Sequence, residues 1–165
     1  MPHLDELFRT ACRLLGDPAR AEDVVQDVYL RAWKSFHTFQ TGTNCRAWLY
    51  RILVNAVHDY RRRELSRRPA DDSEQILERR EAPAPTPDQL TDQEILRALE
   101  EIPEAYRDAV VLADVEQFSY KEIAQLLEVK TGTVMSRLHR GRSLLRDKLR
   151  SVADAHGLRT AEVNP

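Results

Sequence analysis

Four prolines, Pro69, Pro83, Pro85 and Pro87, fall between Arg68 and Thr91, beside the acidic run Asp71-Asp72-Ser73-Glu74. Proline lacks a backbone N–H and pushes the residue before it out of the helical region. Ala82 to Pro87 is therefore expected to be extended, with room for only a short helix around Glu74 to Arg80. The stretch 68–91 reads as a linker. It divides the 165 residues into two small domains, 1–67 and 92–152, followed by a tail, 153–165. Neither part has the length of a large catalytic barrel.

Within the two parts the chain has few glycines, no strand-like alternation and many apolar residues at three-or-four spacing. The expected fold class is all-α: two small helical domains joined by a flexible acidic Pro-rich linker, the second with a helix-turn-helix. Cys12 and Cys45 are the only cysteines. They form no disulfide framework and no CxxC metal spacing, and are expected to be small core residues in a reducing compartment. Asp5, Glu6, Arg9 and Arg13 interrupt the N-terminus, so no signal peptide is read there, and no later stretch has membrane-spanning length. A cytoplasmic location is expected. His3, His37, His58, His139 and His156 lack metal-ligand spacing, the carboxylates form no recognisable acid/base pair and no Gly-rich phosphate loop occurs. Neither an enzyme nor a cofactor is expected.

The formal net charge of −2 conceals a pattern: +4 over residues 1–68, −6 over 69–95, −4 over 96–117 and +4 over 118–165. Two basic ends flank an acidic middle. Local positive charge is what attracts a polyanion, so a near-neutral total leaves nucleic-acid binding open, as it leaves open ordinary solvated helix faces.

In the first domain, Asp17-Pro18 signals a helix start, and the helix is expected to run through Lys34. Val25, Val28, Tyr29, Ala32 and Phe36 share one stripe, leaving Asp23, Asp27, Leu30, Arg31 and Lys34 on the other face. The acidic-to-basic order of that face suits the helix dipole by itself, while Leu30 among the charges suggests a protein partner. The run Phe36 to Asn44 reads as a loop closed by an Asn44 cap. A helix from Cys45 to about Arg63 follows, burying Leu49, Ile52, Leu53, Ala56 and Val57. It interleaves Trp48, Tyr50 and Tyr60 with Arg46, Arg51, Asn55 and Arg61-Arg62-Arg63. Planar faces, cations and an amide are what a single-stranded nucleic-acid surface needs. Each aromatic taken singly reads equally well as core.

In the second domain, Ser119-Tyr-Lys-Glu122 is a capping box. It starts a short helix with Tyr120, Ile123, Ala124 and Leu127 on its apolar side. After a break near Glu128-Val129, a second helix begins at Thr131-Gly132-Thr133, which is helix-turn-helix spacing. Val134, Leu138, Gly141, Leu145 and Leu149 face inward, and Gly141 permits close approach of a neighbour. Thr133, Ser136, Arg137 and Arg140 face out, as on a recognition helix in a major groove or as on the solvated basic face of a plain bundle.

Taken in order, three motifs resemble the extracytoplasmic-function (ECF) group of sigma-70-type transcription initiation factors. They are Ala21-Glu-Asp-Val-Val-Gln-Asp-Val-Tyr29, Gly42-Thr-Asn-Cys-Arg-Ala-Trp-Leu-Tyr-Arg-Ile-Leu-Val-Asn55, and Ser119-Tyr-Lys-Glu-Ile-Ala124 followed by Gly132-Thr-Val-Met-Ser-Arg-Leu-His-Arg-Gly-Arg142. The match covers about residues 9–152. It implies a factor that joins bacterial core RNA polymerase and confers promoter choice. Asp23, Gln26, Asp27, Leu30 and Arg31 would bind the clamp of the largest subunit. Phe39, Trp48, Tyr50, Asn55, Arg61 and Arg62 would open and read the minus-ten element, holding an extruded non-template base in a loop pocket. Thr133, Met135, Ser136, Arg137, His139 and Arg140 would read the minus-thirty-five duplex, and the stretch around Ile95 to Glu116 would dock on the flap. The acidic linker would thread toward the polymerase cleft, mimicking nucleic acid there.

An anti-sigma factor, a stress response and a monomeric free state follow from the same resemblance. The family normally has more sequence ahead of its first helix, so either a truncated first helix, with weaker polymerase binding, or a misassigned start is expected, without an appended C-terminal module. Met135 is less direct as a base reader than a polar side chain, so promoter sequence does not carry over. The competing class is a stand-alone helix-turn-helix repressor or activator. It explains the second domain equally well but not the aromatic loop and basic aromatic helix of the first.

Overall fold

The structure is a computed structural model that describes residues 3–40, 42–67 and 92–155. The expected linker and most of the tail lie outside the described residues, as does the expected short helix around Glu74 to Arg80. Seven α-helices follow in chain order: α1 (Leu4–Leu15), α2 (Pro18–Ser35), α3 (Cys45–Arg67), α4 (Asp92–Glu100), α5 (Glu104–Val110), α6 (Tyr120–Leu126) and α7 (Thr131–Ala155). No strand occurs among the described residues.

The helix starts follow from local chemistry. Asp17 accepts from the N–H groups of Ala19 (2.8 Å) and Arg20 (3.3 Å), with Pro18 in the first turn. Such a cap contributes about 1 kcal/mol by satisfying donors that a helix leaves orphaned. Asn44 accepts from Ala47 N–H at 3.2 Å and opens α3. Ser119 and Glu122 form both bonds of the capping box. α1 ends at Gly16, whose left-handed φ of 73° is the usual glycine stop.

α1, α2 and α3 pack on one another through Leu7, Ala11, Leu14, Val24, Val28, Leu53 and Val57, all buried. In the second unit α7 crosses α5 at Gly141. A Cβ there would lie 2.7 Å from Val110 Cγ2 and 3.1 Å from the Tyr106 carbonyl oxygen, so the crossing depends on a missing side chain. α6 and α7 form the helix-turn-helix. Its turn is closed by Leu127 N–H donating to the Ile123 carbonyl, and Glu128 takes a φ of 54°.

Two expectations change. Phe36 does not extend the buried stripe of α2. After Ser35 the chain tightens into a 3₁₀ turn, Phe36–Thr38, and the tighter winding rotates the ring into solvent at 66% exposure. Cys45 is exposed rather than in the core, because it stands at the open first turn of α3, while Cys12 is half-buried.

The units are in contact. One hydrophobic cluster runs through residues of both, from Leu7 to Leu138, with α1 packed against α4 and α5 and the start of α3 against α6. A π-helical turn, Val111–Val115, follows α5, with Glu116 N–H bonded to the Val111 carbonyl and Phe118 N–H to the Leu112 carbonyl. It aims the next residues at the first unit.

Candidate nucleic-acid and protein interfaces

On the first unit, the 3₁₀ turn and the start of α3 assemble an aromatic staircase. Phe36 and Phe39 stack with centroids 6.1 Å apart, and Phe39 and Trp48 meet at 5.2 Å. Gly42, at φ 95°, supplies the left-handed backbone that returns the loop to Asn44. Trp48, Asn55 and Arg62 are spaced by seven, two helical turns, and so share one stripe of α3. Asn55 and Arg62 are exposed and Trp48 is half-buried. Planar rings, an amide and a cation thus lie on one continuous surface.

Tyr50 and Arg61, expected on the same surface, are elsewhere. Tyr50 is fully buried, and its phenol donates to Glu116 Oε2 at 2.6 Å. Burial, together with the Glu116 carboxylate, pushes its pKa up, so it stays a neutral donor. Arg61 donates to both carboxylate oxygens of Asp108, at 2.8 and 3.0 Å, and to the Leu14 carbonyl at 2.6 Å. Their α3 positions lie outside the Trp48 stripe, on faces covered by the second unit.

On α2, Asp23, Gln26 and Leu30 are exposed, with Leu30 at 60%. Arg31 is held between Asp27 (2.8 Å) and Asp59 (2.7 Å), so it is fixed in place rather than free. Trp33, 81% exposed, stands one turn beyond Leu30 and enlarges the apolar spot. Sequence reasoning missed it. The signal was its i+3 offset from Leu30, which puts it on the charged face rather than on the Val25–Val28–Ala32 stripe.

On α7, Met135, Ser136, His139 and Arg140 are exposed, and Thr133 and Arg137 are half-exposed. Arg140 Nη1 donates to the Tyr106 hydroxyl at 3.3 Å, which steadies its stem over α5. Arg142 is paired with Asp114 at 2.7 Å, whereas Arg137 has no ion pair among the described residues. Hydroxyls and guanidinium groups therefore stand together on the outward face of the second helix of the helix-turn-helix.

Among the described residues no group of His, Cys, Asp and Glu is arranged to hold a metal ion, and no helix is long and apolar enough to cross a membrane.

Comparison with known proteins places both units. Residues 1–67 match the family model of Sigma-70 region 2, and residues 92–145 match that of Sigma-70, region 4. The ECF RNA polymerase sigma factor SigE of Mycolicibacterium smegmatis is 40% identical over 152 residues, 89% of this chain, and the chain spans 58% of that protein's length. The ECF RNA polymerase sigma factor EcfG of Rhodopseudomonas palustris is 36% identical over 138 residues, covering 82% of this chain and 74% of that protein. Among solved structures, the sigma factor RpoE in complex with the anti-sigma factor NepR from Bartonella quintana superposes with a TM-score of 0.75 at 31% identity, over 89% of this chain and 91% of that one. With two region models in family order and relatives matched along most of their length, the chain belongs to the ECF RNA polymerase sigma factors.

Proposed function

We propose that this chain binds bacterial core RNA polymerase and directs it to specific promoters, the first unit opening and reading the minus-ten element and the second reading the minus-thirty-five duplex. The observation that carries this reading is the pairing of two different nucleic-acid surfaces in one chain. The Phe36–Phe39–Trp48 staircase with Asn55 and Arg62 suits unstacked single-stranded bases. The outward face of α7 suits a major groove. A repressor has need of only the second.

In this reading Phe39, Trp48, Asn55 and Arg62 meet the minus-ten strand, and Thr133, Met135, Ser136, Arg137, His139 and Arg140 meet the duplex. Asp23, Gln26, Asp27, Leu30 and Arg31 meet the polymerase, with Trp33 added because a large exposed apolar side chain beside Leu30 gains most from burial by a partner. The likeness to a sigma factor solved with its anti-sigma factor supports a partner of that class; control within a stress response belongs to the same proposal.

The test is run-off transcription with bacterial core polymerase on a promoter library, comparing wild type with Asn55→Ala and Arg140→Ala. Promoter-dependent transcripts are expected, with the first substitution impairing opening and the second impairing duplex recognition. Absence of any transcript, with duplex binding that needs no core polymerase, would overturn the reading in favour of a repressor.

A further inference from the structure

The carboxylate of Glu116 takes all its charge partners from the other unit. Its side chain is 5% exposed. Thr10 donates to Oε1 at 2.6 Å, Tyr50 and Arg46 donate to Oε2 at 2.6 and 2.9 Å, and Arg13 stands 3.7 Å away. Arg46 also donates to the Glu116 carbonyl at 3.0 Å and to Glu6 at 2.6 Å. Next to it, Phe118 meets Tyr50 edge to face at 4.9 Å, and the Arg46 guanidinium lies 4.4 Å over the Phe118 ring. These two residues are delivered by an unusual backbone: the π turn before Glu116 and a left-handed Gln117 (φ 61°) between them. Side chains with a Cβ rarely adopt that conformation, and such segments persist where the surroundings hold them.

The contact covers surfaces. Tyr50 and Arg61 are sequestered, and α4 and α5, within the stretch expected on the polymerase flap, lie against α1. Geometry makes this consequential. Elements named minus-ten and minus-thirty-five lie about 25 base pairs apart, or about 85 Å at about 3.4 Å per pair. A compact body of about 130 residues has a radius of gyration of only about 14 Å. Two units in contact do not reach both elements, whereas the residues from 68 to 91 are long enough, if extended, to span about 80 Å.

We propose that Glu116 is the centre of an interdomain lock: seated among Thr10, Tyr50 and Arg46, it holds the two units closed, and its release precedes simultaneous engagement of both promoter elements. The lock itself is independent of the functional reading; its consequence for promoters rests on that reading.

The test separates the two. Spin labels on Ala19→Cys and Ser143→Cys, both exposed positions, in a full-length Cys12→Ala/Cys45→Ser background, report the distance between units without any polymerase. One narrow short distance is expected for the parent. Glu116→Ala is expected to raise the ratio of long to short distances at least tenfold, and Thr10→Val, which keeps the shape but removes the hydroxyl's bonds to Glu116, Tyr50 and the Glu6 carbonyl, is expected to raise it by a smaller factor. Circular dichroism shows whether each variant keeps its helices. If Glu116→Ala unfolds, Thr10→Val and Arg46→Gln decide. A distribution that stays narrow in folded variants, or one already broad in the parent, would overturn the lock whatever transcription assays show.

Discussion

Arginine serves opposite ends in two regions of this molecule. At the contact between units, Arg107 is 8% exposed and donates to the carbonyls of Leu99 (2.7 Å), Leu14 (2.8 Å), Glu100 (2.7 Å) and Ile102 (3.1 Å). Arg61 shares the Leu14 carbonyl, so two cations meet the negative end of α1. Burial, then the nearby Arg61 charge, lowers the pKa of Arg107. On the outer face of α7, Arg137, Arg146 and Arg150 have no ion pair among the described residues. The same side chain is spent on backbone in one place and left available in the other. Positive charge along a sequence is therefore no measure of nucleic-acid affinity until its partners are known.

The largest effect that would test this contrast is on stability. Arg107→Ala orphans several buried carbonyls at once and is expected to cost about 3 kcal/mol or more in urea unfolding, where Arg146→Ala stays within about 0.5 kcal/mol. Equal effects would erase the distinction between the two regions. Next comes Gly141→Ala. A gain of about 1 kcal/mol in helix propensity opposes an overpacking cost of about 1–3 kcal/mol against Val110 and Tyr106. Net destabilisation of about 1 kcal/mol is expected in thermal unfolding, and stabilisation would mean that α5 and α7 part easily.

Acid sharpens the contrast further. Burial alone would raise the pKa of Asp108, but hydrogen bonds from His58 (3.2 Å) and Arg61 outweigh it and hold the carboxyl below its ordinary value of 3.8. A folded value below the unfolded one gives stability that is present above the unfolded pKa and disappears as pH falls through the folded one. Stability measured from pH 6 downward should therefore drop below about pH 4, and Asp108→Asn should flatten that drop. The smallest effect on the fold belongs to α7: Arg140→Ala is expected to leave the melting temperature unchanged while weakening duplex binding, with a salt slope shallower by about 1 for each phosphate the side chain had neutralised.

The contrast also explains what the sequence disclosed. Asp17, Asn44 and the Ser119–Glu122 box were legible because a cap acts within three or four residues, and Gly141 because its spacing matched the buried stripe of α7. The exposed face of α7 followed from the same period. Partners of buried charge did not. Thr10 and Glu116 are 106 residues apart, and nothing local to either marks the other as its partner. Periodicity says which way a side chain points, not what arrives from another part of the chain. Tyr50 and Arg61 were misplaced for that reason, and Phe36 because a change from α to 3₁₀ winding shifts the phase that periodicity assumes.

The π turn has a bearing on heredity. A π turn holds one residue more than an α-helix needs over the same stretch, so Val111–Val115 tolerates, in purely helical terms, the loss of a codon. Removing Ala113 would let α5 continue as an ordinary helix, with the residues after it kept close to their present phase, because the wide turn holds the one residue that is lost. Glu116 and Phe118 would still face Tyr50. A one-residue deletion, the kind of change usually read as damage, would at this turn be absorbed while leaving both helices and the contact between the units in place.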